Sequence, residues 1–537
     1  MRRGIMRTRF LAAGAAALMV LISACGGSGD AEPTEEPAER APVEDGTFRA
    51  VIAADPGNLD PLMTVLSNTR WVTTFMYDSL IFINEEGDAV PYLAESWEVG
   101  LDEVTYTLAE GITCSDGTPL TASDVAANFE FVADPANGSP QLGVWVPPGV
   151  AVTADDDART VTLTSPNPDP FLLQATGLLQ IVCAAGTADR SILESGAAGT
   201  GMFELAAVAP NDHYTFERRD DYEWGPEGAA ASDPGTPKSV TLHVVGNEST
   251  AVNMFLADEI DAVLPTGPDA QRAEQSGADI MEITAPLGQL YFNQADGRAG
   301  ADPAVRLALT QAADLTALGT VTADGRGKPS EGVGGLEPRP CPADTVTGSL
   351  PAHDVDGAAQ QLEDAGWEAG PDGVRAKEGQ PLALSLLYVV DIGPGLAAGA
   401  ELLAQQWSAI GVDVSLQSIT QAQINEVLFG SGDWDAGLIM LSVAFPSQLG
   451  PFFSGPVPPD GTNFAHLGNE EYEALTAEAA ELPLEEGCAL WEDAERALVS
   501  QADVVPFVDL VTPMFLNGVE SRLLANNLSP PTIRMYE

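Results

Sequence analysis

The chain has 537 residues and a formal net charge of −56, which arises from 79 acidic and 23 basic side chains. A charge of this size repels the phosphates of nucleic acids and of anionic lipids, so neither is expected as a partner. Hydrophobic residues make up 45% of the sequence, which is enough for a large core, and the length is too great for one compact domain. We therefore expect two or three lobes.

Residues 1–24 have the pattern of an export signal. Four arginines among the first nine residues precede an apolar run over residues 10–24, which is shorter than the roughly twenty residues of a membrane-spanning helix. The run ends in ISAC, residues 22–25, which resembles the lipobox of bacterial lipoproteins. We expect lipid on Cys25 to hold the protein at the outer face of the cytoplasmic membrane; the alternative is an ordinary secretory signal with a chance cysteine.

Residues 25–46 are rich in Gly, Ser, Pro, Ala and acidic residues, and almost none of them is apolar enough to bury. This composition is typical of a solvated linker, so we expect an acidic flexible tether. No later stretch approaches eighteen consecutive apolar residues. The sequence therefore predicts an exported body that begins near residue 47.

Four further cysteines are Cys114, Cys183, Cys341 and Cys488. An even number in an oxidising compartment favours disulfides, but four cysteines allow three pairings that the residues alone do not rank. Their wide, irregular spacing does not match a zinc site. We expect no metal site and no cofactor.

Strand-like and helix-like segments alternate along the body. Runs that are rich in β-branched residues or alternate with period two predict strands over residues 104–108, 160–164, 240–245, 382–390 and 412–416. Capping residues and helical periodicity predict helices from Thr121 and over residues 303–318, 355–365, 396–410, 470–481 and 490–501. This order of elements predicts an α/β fold with several sheets.

Short motifs follow one another along most of the chain. The early ones are NLDP (58–61), YDSL (77–80), PYLAESWE (91–98), SDGTPLTASDV (115–125), GTGMF (199–203) and DY (221–222). The later ones are EIDA (259–262), FN (292–293), VRLAL (305–309), AGW (365–367), GVDV (411–414) and WDA (434–436). In this order, and over residues 47–520, the chain resembles the extracellular solute-binding proteins, family 5, of peptide and nickel ATP-binding-cassette importers.

The resemblance implies a two-lobed α/β fold of the periplasmic-binding-protein type (class II, cluster C) that closes on a ligand. The implied parts are a first-lobe core over residues 47–80, 200–285 and 505–537, an inserted subdomain over 81–199, and a second lobe over 286–504. Strands near residues 285–290 and 504–511 would form the hinge. Because Cys114 and Cys183 would both lie in the inserted subdomain and Cys341 and Cys488 both in the second lobe, the resemblance also implies the bridges Cys114–Cys183 and Cys341–Cys488.

In this family, ligand contacts come from segments that converge on the cleft between the lobes. Carried over to this chain, those segments point to Asn68, Trp71, Tyr291, Asn293, Phe445, Asn463 and Phe464. Trp145, in the loop over residues 144–148, is a further candidate. Arg70 is one of the few cations nearby, and either contact with a ligand carboxylate or a place on the solvated surface is open to it.

One segment departs from the family pattern. Oligopeptide binders carry an aspartate soon after the WDA strand, and its carboxylate pairs with the peptide's α-ammonium group. Here residues 441–448, LSVAFPSQ, contain no acid, which favours amphipathic or uncharged solutes over ordinary peptides. A nickel or other metal chelate is an alternative ligand, although His213, His243, His353 and His466 lack the paired spacing for direct ligation by several histidines.

These features predict a monomeric substrate-binding lipoprotein of an ATP-binding-cassette importer. It would capture a peptide, a peptide-like compound or another small solute and deliver it to a membrane permease and its ATPase. An enzyme is not expected, because the sequence lacks nucleophile-elbow, H-E-x-x-H, P-loop and dinucleotide-binding motifs. An exported hydrolase and a surface sensor on the same scaffold are the remaining alternatives.

Overall fold

A computed structural model describes residues 40–267, 269–524 and 526–537, and Ala41–Glu537 form one compact unit. The predicted signal peptide, Cys25 and most of the predicted tether lie outside the described residues. Within the described part of the chain, no helix is long and apolar enough to cross a membrane.

Eleven strands of the described residues form one mixed sheet. Ten lie side by side in the order Asp413–Ile419, Ala383–Val389, Ala436–Leu438, Asp279–Phe292, Val504–Leu516, Ala262–Val263, Thr47–Ile52, Ser239–Val244, His213–Arg218 and Phe203–Ala209. The eleventh, Gly327–Lys328, pairs with Val504–Leu516. Period-two alternation accounts for the buried face of these strands: Val240 and Leu242 are fully buried between more exposed neighbours.

Two long antiparallel strands, Asp279–Phe292 and Val504–Leu516, form the middle of this sheet. They pair over almost their whole length, with a shift of register at Gly288. A Cβ atom at Gly288 would clash with the ring of Phe507, so the close approach of the two strands requires glycine there. The predicted hinge segments therefore belong to one continuous pair of strands. We call Asp279–Phe292 and Val504–Leu516 the crossing strands.

A second, four-stranded antiparallel sheet lies within the segment predicted as an insertion. Its strands lie in the order Ala94–Val99, Glu103–Leu108, Thr160–Thr164 and Ala151–Asp155. Helix Ala122–Ala133 packs on this sheet and begins with the predicted capping box. The Thr121 hydroxyl accepts from the Asp124 N–H at 3.1 Å, and the Asp124 carboxylate accepts from the Thr121 N–H at 3.0 Å.

Capping residues fix where several helices begin. The described α-helices are Ser67–Thr73, Ala122–Ala133, Leu172–Gly177, Ala184–Ala188, Glu248–Leu256, Ala270–Glu274, Pro303–Ala312, Leu315–Thr322, Val355–Asp364, Pro394–Ala409, Gly450–Phe453, Glu470–Ala480 and Leu484–Ser500. The prediction of one helix over residues 303–318 was wrong, because the chain is extended at Ala313. Asp314 then caps a second helix by accepting from the Ala317 N–H at 3.0 Å.

Shorter pieces complete the structure. The remaining strands are Ile81–Ile83, Ala89–Pro91, Glu368–Ala369, Arg375–Lys377, Gln380–Pro381, Val519–Glu520, Leu523–Leu524, Asn527–Leu528 and Arg534–Met535. The structure contains the disulfides Cys114–Cys183 and Cys341–Cys488, which is the pairing that the family resemblance implied. Cross-links over such long loops restrict the unfolded chain and so favour the folded state.

Most buried apolar side chains of the described residues lie in three large regions. The first surrounds Phe48, Phe75 and Val240, and it extends into the four-stranded sheet. The second surrounds Phe292 and Trp407 on the other side of the crossing strands. A third region, around Tyr291 and Phe464, shares packed neighbours with the second, and the first region also reaches Phe445. We use the name lobe 2 for residues 286–504, which include the second and third regions, and the name lobe 1 for the rest of the described body. The observed fold is mixed α/β, as predicted.

Candidate ligand-binding cleft

A cavity of about 280 Å³ lies where the two lobes meet, and we call it the central cavity. Its lobe 1 wall includes Arg70, Trp145, Gln174 and Leu178. Its lobe 2 wall includes Glu337, Pro338, Ser442, Phe445 and Gln448. An aromatic and aliphatic wall with a few polar groups is typical of a small-molecule site.

Two larger spaces share wall residues with the central cavity. One, of about 390 Å³, is lined by Asn68 and Trp71 and shares Ser67 with it. The other, of about 760 Å³, shares Trp145 and Phe445 with it. The cleft therefore offers room for a solute larger than the central cavity alone accommodates.

Contacts between the lobes close the cleft around Phe445. Its ring lies 6.3 Å from that of Trp145 in an edge-on arrangement and 5.8 Å from that of Phe171 in a stacked one. The Gln448 amide donates to the Val144 carbonyl at 3.1 Å. The two walls are thus in direct contact in this structure, with both aromatic packing and a hydrogen bond between them.

The loop that carries Trp145 is fixed to lobe 1 by its polar residues. The Ser139 hydroxyl donates to the Leu62 carbonyl at 2.6 Å, and the Gln141 amide donates to the Thr64 carbonyl at 3.0 Å. The backbone N–H of Trp145 then donates to the Gln141 backbone carbonyl at 3.0 Å. These bonds position the indole at the cavity and pair the Gln141 amide nitrogen, while the Gln141 Oε1 is enclosed without a partner among the described residues.

The short helix Ser67–Thr73 is held on both sides. The Asn68 amide donates to the Ala54 carbonyl at 2.9 Å, and the Thr69 hydroxyl donates to the Pro56 carbonyl at 3.0 Å. At its end the Thr73 hydroxyl donates to the Gln180 side chain at 2.8 Å. The helix is therefore a fixed support for the side chains that it directs toward the cleft.

Arg70 is one of those side chains. Its Cζ lies 4.8 Å from the centre of the Trp145 ring, which is within the range of a cation–π contact. Its Nη1 is enclosed and has no hydrogen-bond partner among the described residues. Burial lowers the pKa of Arg70 to about 10, because desolvation disfavours the charged form. The side chain is still a cation at neutral pH.

The segment over residues 441–448 forms most of the lobe 2 wall. Leu441 is held by the Gln289 side chain, which accepts from the Leu441 N–H at 2.8 Å and donates to its carbonyl at 3.0 Å. Gln448 accepts from the Ala444 N–H at 2.9 Å. The acid-free segment that departs from the family pattern is thus part of the wall of the central cavity.

A second segment of the lobe 2 wall, around Glu337 and Pro338, was missed by the sequence reasoning. Glu337 accepts from the Arg339 Nε–H at 3.2 Å, and Arg339 is itself buried. The carboxylate is therefore already paired within lobe 2. The sequence offered only a weak signal for this segment, namely the prolines that precede Cys341.

Four predicted contact residues, Tyr291, Asn293, Asn463 and Phe464, lie in the interior of lobe 2, and we call them the rear cluster. None of them lines the three spaces described above, and each is at most 3% exposed. The Asn463 side chain bonds the Leu467 N–H and carbonyl at 2.9 and 2.8 Å. That these residues contact a ligand stays a prediction.

The rings and amides of the rear cluster are occupied by one another and by the backbone. The rings of Tyr291 and Phe464 lie 5.4 Å apart, and the Tyr291 hydroxyl donates to Gln289 at 3.0 Å. The Asn293 amide donates to the Trp434 carbonyl at 3.0 Å. Trp145 and Phe445, by contrast, line the central cavity, and Asn68 and Trp71 line the adjoining space of about 390 Å³, which has no lobe 2 residue in its wall.

Metal-binding groups are not concentrated at the cleft. Across the described residues, no set of three or more His, Cys, Asp or Glu side chains is arranged to hold a metal ion. None of the four histidines is among the residues that line the three spaces.

Comparisons with known proteins place this cleft in context. A model of the bacterial extracellular solute-binding proteins, family 5 Middle, matches residues 88–454. Protein XP55 of Streptomyces lividans is 26% identical over 63% of this chain, which spans 60% of that protein. The periplasmic murein peptide-binding protein MppA of Escherichia coli is 25% identical over 85% of this chain and 86% of its own length.

A solved structure has the same fold. A substrate-binding protein from Microbacterium hydrocarbonoxydans, complexed with 4-hydroxybenzoate hydrazide, is 26% identical, with a TM-score of 0.68. The match covers 91% of this chain and all of that one. This likeness confirms the two-lobed α/β fold that the motifs implied.

Proposed function

The chain belongs to the bacterial extracellular solute-binding proteins of family 5, and from that premise we propose that it is the substrate-binding component of an ATP-binding-cassette importer. Its role is to capture a peptide, a peptide-like compound or another small solute outside the cytoplasm. It then delivers the solute to a permease, and the ATPase of the transporter supplies the energy.

The observation that carries this proposal is a cavity walled by both lobes. Trp145 and Phe445 come from opposite sides and meet at its edge, with ring centres 6.3 Å apart. A solute in the cavity beside them would bury its apolar surface against both rings at once. Because both lobes contribute to the wall, a solute bound there binds the closed arrangement better than an open one.

Capture then follows from a shift between open and closed arrangements. A ligand can move such an equilibrium only by its differential affinity for the two states. We assign the hinge to the crossing strands, and the moving parts to residues 47–80, 200–285 and 505–537 with their insertion 81–199, and to residues 286–504. Rotation about the crossing strands would separate Gln448 from Val144 and open the cavity.

Ligand contact is assigned to the residues at the cleft, and the rear cluster supports them. Trp145 and Phe445 contact the solute directly, and Asn68 and Trp71 extend the site into the adjoining space. Tyr291, Asn293, Asn463 and Phe464 hold the lobe 2 wall in place. Capture and delivery of the solute form and break no covalent bond, so the proposed function requires no catalytic residue.

We expect this protein to bind a narrower class of solutes than the family as a whole binds. The acid-free wall over residues 441–448 lacks a partner for a peptide's α-ammonium group, which favours solutes without that group or with it blocked. Binding of a nickel or other metal chelate is the second candidate, because a chelate needs no protein ligand to the metal. A sensor or hydrolase on this scaffold has no feature of the cleft in its favour.

The N-terminal segment supports a location of the protein at the outer face of the cytoplasmic membrane. We assign residues 1–24 as a lipoprotein signal peptide, Cys25 as the lipidated residue and residues 25–46 as a tether. A tethered monomer at the outer face of the membrane would meet its permease at high effective concentration. Palmitate labelling of the wild type and of Cys25→Ser tests this part on its own.

Uptake and retention together test the proposed function. The full-length protein, purified from its own host, is expected to retain a small molecule in native mass spectrometry. Deletion of the chain is expected to abolish uptake of that molecule, and restoring the chain is expected to restore it. A protein that retains nothing, in a host whose uptake of peptides and other small solutes is unchanged by the deletion, would contradict the proposal.

A further inference from the structure

Arg70 is the feature of the central cavity that packing alone does not explain. Its guanidinium makes no hydrogen bond or ion pair with any described residue, and its Nη1 is enclosed. Placing a cation in such a position without an acceptor costs free energy. The Trp145 ring offsets part of this cost through the cation–π contact, but it accepts no hydrogen bond from the enclosed N–H groups.

Two buried arginines of this chain, unlike the half-buried Arg70, have acceptors for their guanidinium groups. Arg306 donates to the Asp503 carboxylate at 2.8 Å, and Arg375 donates to the Ile410 carbonyl at 2.8 Å. In each case the fold provides the acceptor. Among the arginines of the described residues, Arg70 alone has neither an ion pair nor a hydrogen-bonded acceptor for its guanidinium.

No unpaired carboxylate of the cavity wall is available to Arg70. Glu337 is the one carboxylate among the residues that line the central cavity in the described structure, and it is bonded to Arg339 at 3.2 Å. Arg70 also lines a small adjoining space beside Tyr77 and Gln180. Arg70 therefore lines the space where a solute would lie, and the described residues around that space include no unpaired carboxylate.

From this geometry we infer that Arg70 binds a carboxylate of the solute, so that the imported compounds are organic acids whose apolar part lies in the central cavity against Trp145 and Phe445. A carboxylate offers two acceptor oxygens that match the paired donors of a guanidinium. The cavity wall would then hold a peptide-like ligand by its carboxylate end. The oligopeptide binders of the family, in contrast, carry an aspartate that pairs with the α-ammonium end. The inference rests on the proposed function, because it concerns the same cavity.

Two matched pairs of probes separate the sources of such a carboxylate. The first pair is a library of N-acetylated tripeptides with free C-terminal carboxylates and the same library with C-terminal amides. The second pair is 4-hydroxybenzoate and its neutral hydrazide. Dissociation constants are measured with the full-length wild type, Arg70→Gln and Arg70→Lys. Arg272→Gln is the charge-matched control, because Arg272 is exposed and paired with Asp269.

The wild type is expected to bind the carboxylate member of at least one pair about tenfold to a hundredfold more tightly than the neutral member, which is the usual worth of a hydrogen bond to a charged group. Arg70→Gln is expected to lose that preference and to keep its affinity for the neutral member. Arg70→Lys is expected to retain part of the preference, and Arg272→Gln all of it.

Two kinds of outcome are distinguishable. If the wild type binds the neutral members as tightly, or if Arg70→Gln keeps the full preference, the role of Arg70 is overturned and the proposed function stands. If the wild type binds no member of either pair, the inference about the ligand class is overturned, while the proposed function is decided separately by uptake and retention. If Arg70→Gln does not fold, Arg70→Lys decides: a reduced preference supports the inference, and an unchanged preference overturns it.

Discussion

The cleft wall and the rear cluster contain the same kinds of residue and differ in what their polar atoms do. In the rear cluster, the side chains of Asn293 and Asn463 are fully engaged with the backbone of lobe 2. In the cleft wall, Arg70 Nη1, Trp71 Nε1 and Gln174 Oε1 are enclosed without a hydrogen-bond partner among the described residues.

This difference separates residues that hold the fold from residues that are available to a ligand. A buried polar atom without a partner is costly, so its presence at a cavity indicates a site where another molecule can satisfy it. A polar atom that is already bonded has nothing to offer a ligand without breaking that bond. The rear cluster should therefore affect stability, and the cleft wall should affect binding.

The largest expected effect is on the rear cluster. Phe464→Ala removes a buried ring that packs on Tyr291 and Trp434, and it is expected to lower the free energy of unfolding by about 3–5 kcal/mol. Urea unfolding measures the loss. Phe429→Ala, which removes a partly buried neighbour, should cost less. A Phe464→Ala protein of unchanged stability with lost binding would place this ring in the site.

The next effect concerns a rear amide. Asn463→Ala leaves the Leu467 N–H and carbonyl without their partner, and it is expected to lower the free energy of unfolding by about 1–3 kcal/mol. Asn167→Ala, at an exposed position, should change it by less than about 0.5 kcal/mol. Differential scanning calorimetry of both variants compares them. Equal stability of the two variants would contradict the structural role of Asn463.

A cleft aromatic should show the opposite pattern. Trp145→Ala removes one wall of the central cavity, and it is expected to weaken binding of the retained solute by about tenfold or more, because the apolar contact and the water-excluding edge are both lost. Trp367→Ala is the matched control, since this partly buried tryptophan lies away from the cleft beside Lys377. Calorimetric titration measures both. A Trp145→Ala protein with wild-type affinity would remove this residue from the site.

The smallest expected effect is that of pH on binding of a carboxylate probe. Burial lowers the pKa of Arg70 only to about 10, so its charge is complete from pH 6.5 to 8.5, and the affinity for an N-acetylated peptide acid should change by less than about twofold. The affinity should fall only as the pH approaches 10. Titration at several pH values checks this; a fall through pH 6.5 would point to a histidine instead.

The sequence predicted the architecture better than the site. The order of motifs over residues 47–520 predicted the arrangement of the whole fold. Strands such as residues 104–108 were predicted from the alternation of apolar and polar residues, which depends only on local burial. The division of residues 303–318 into two helices depends on Asp314, an acid that serves as well on a helix surface as at a cap. That choice is made by packing, not by periodicity.

Within the site, the sequence could bring segments together but could not tell which side of a segment faces the solute. Asn463 and Phe464 lie in a segment that the family places near the cleft, yet both side chains point into lobe 2. Arg70 was open to two interpretations, because a helix position does not reveal whether an acceptor lies opposite. The segment around Glu337 approaches the cleft only through the tertiary fold.

Hydrogen exchange on the full-length protein, with and without its retained solute, tests most directly whether a solute lies between the lobes. Added solute should slow exchange in residues 67–74 and 139–146 of lobe 1 and in residues 441–448 of lobe 2, while residues 463–467 stay as protected as before. Protection confined to one lobe, or confined to residues 463–467, would contradict binding in the central cavity.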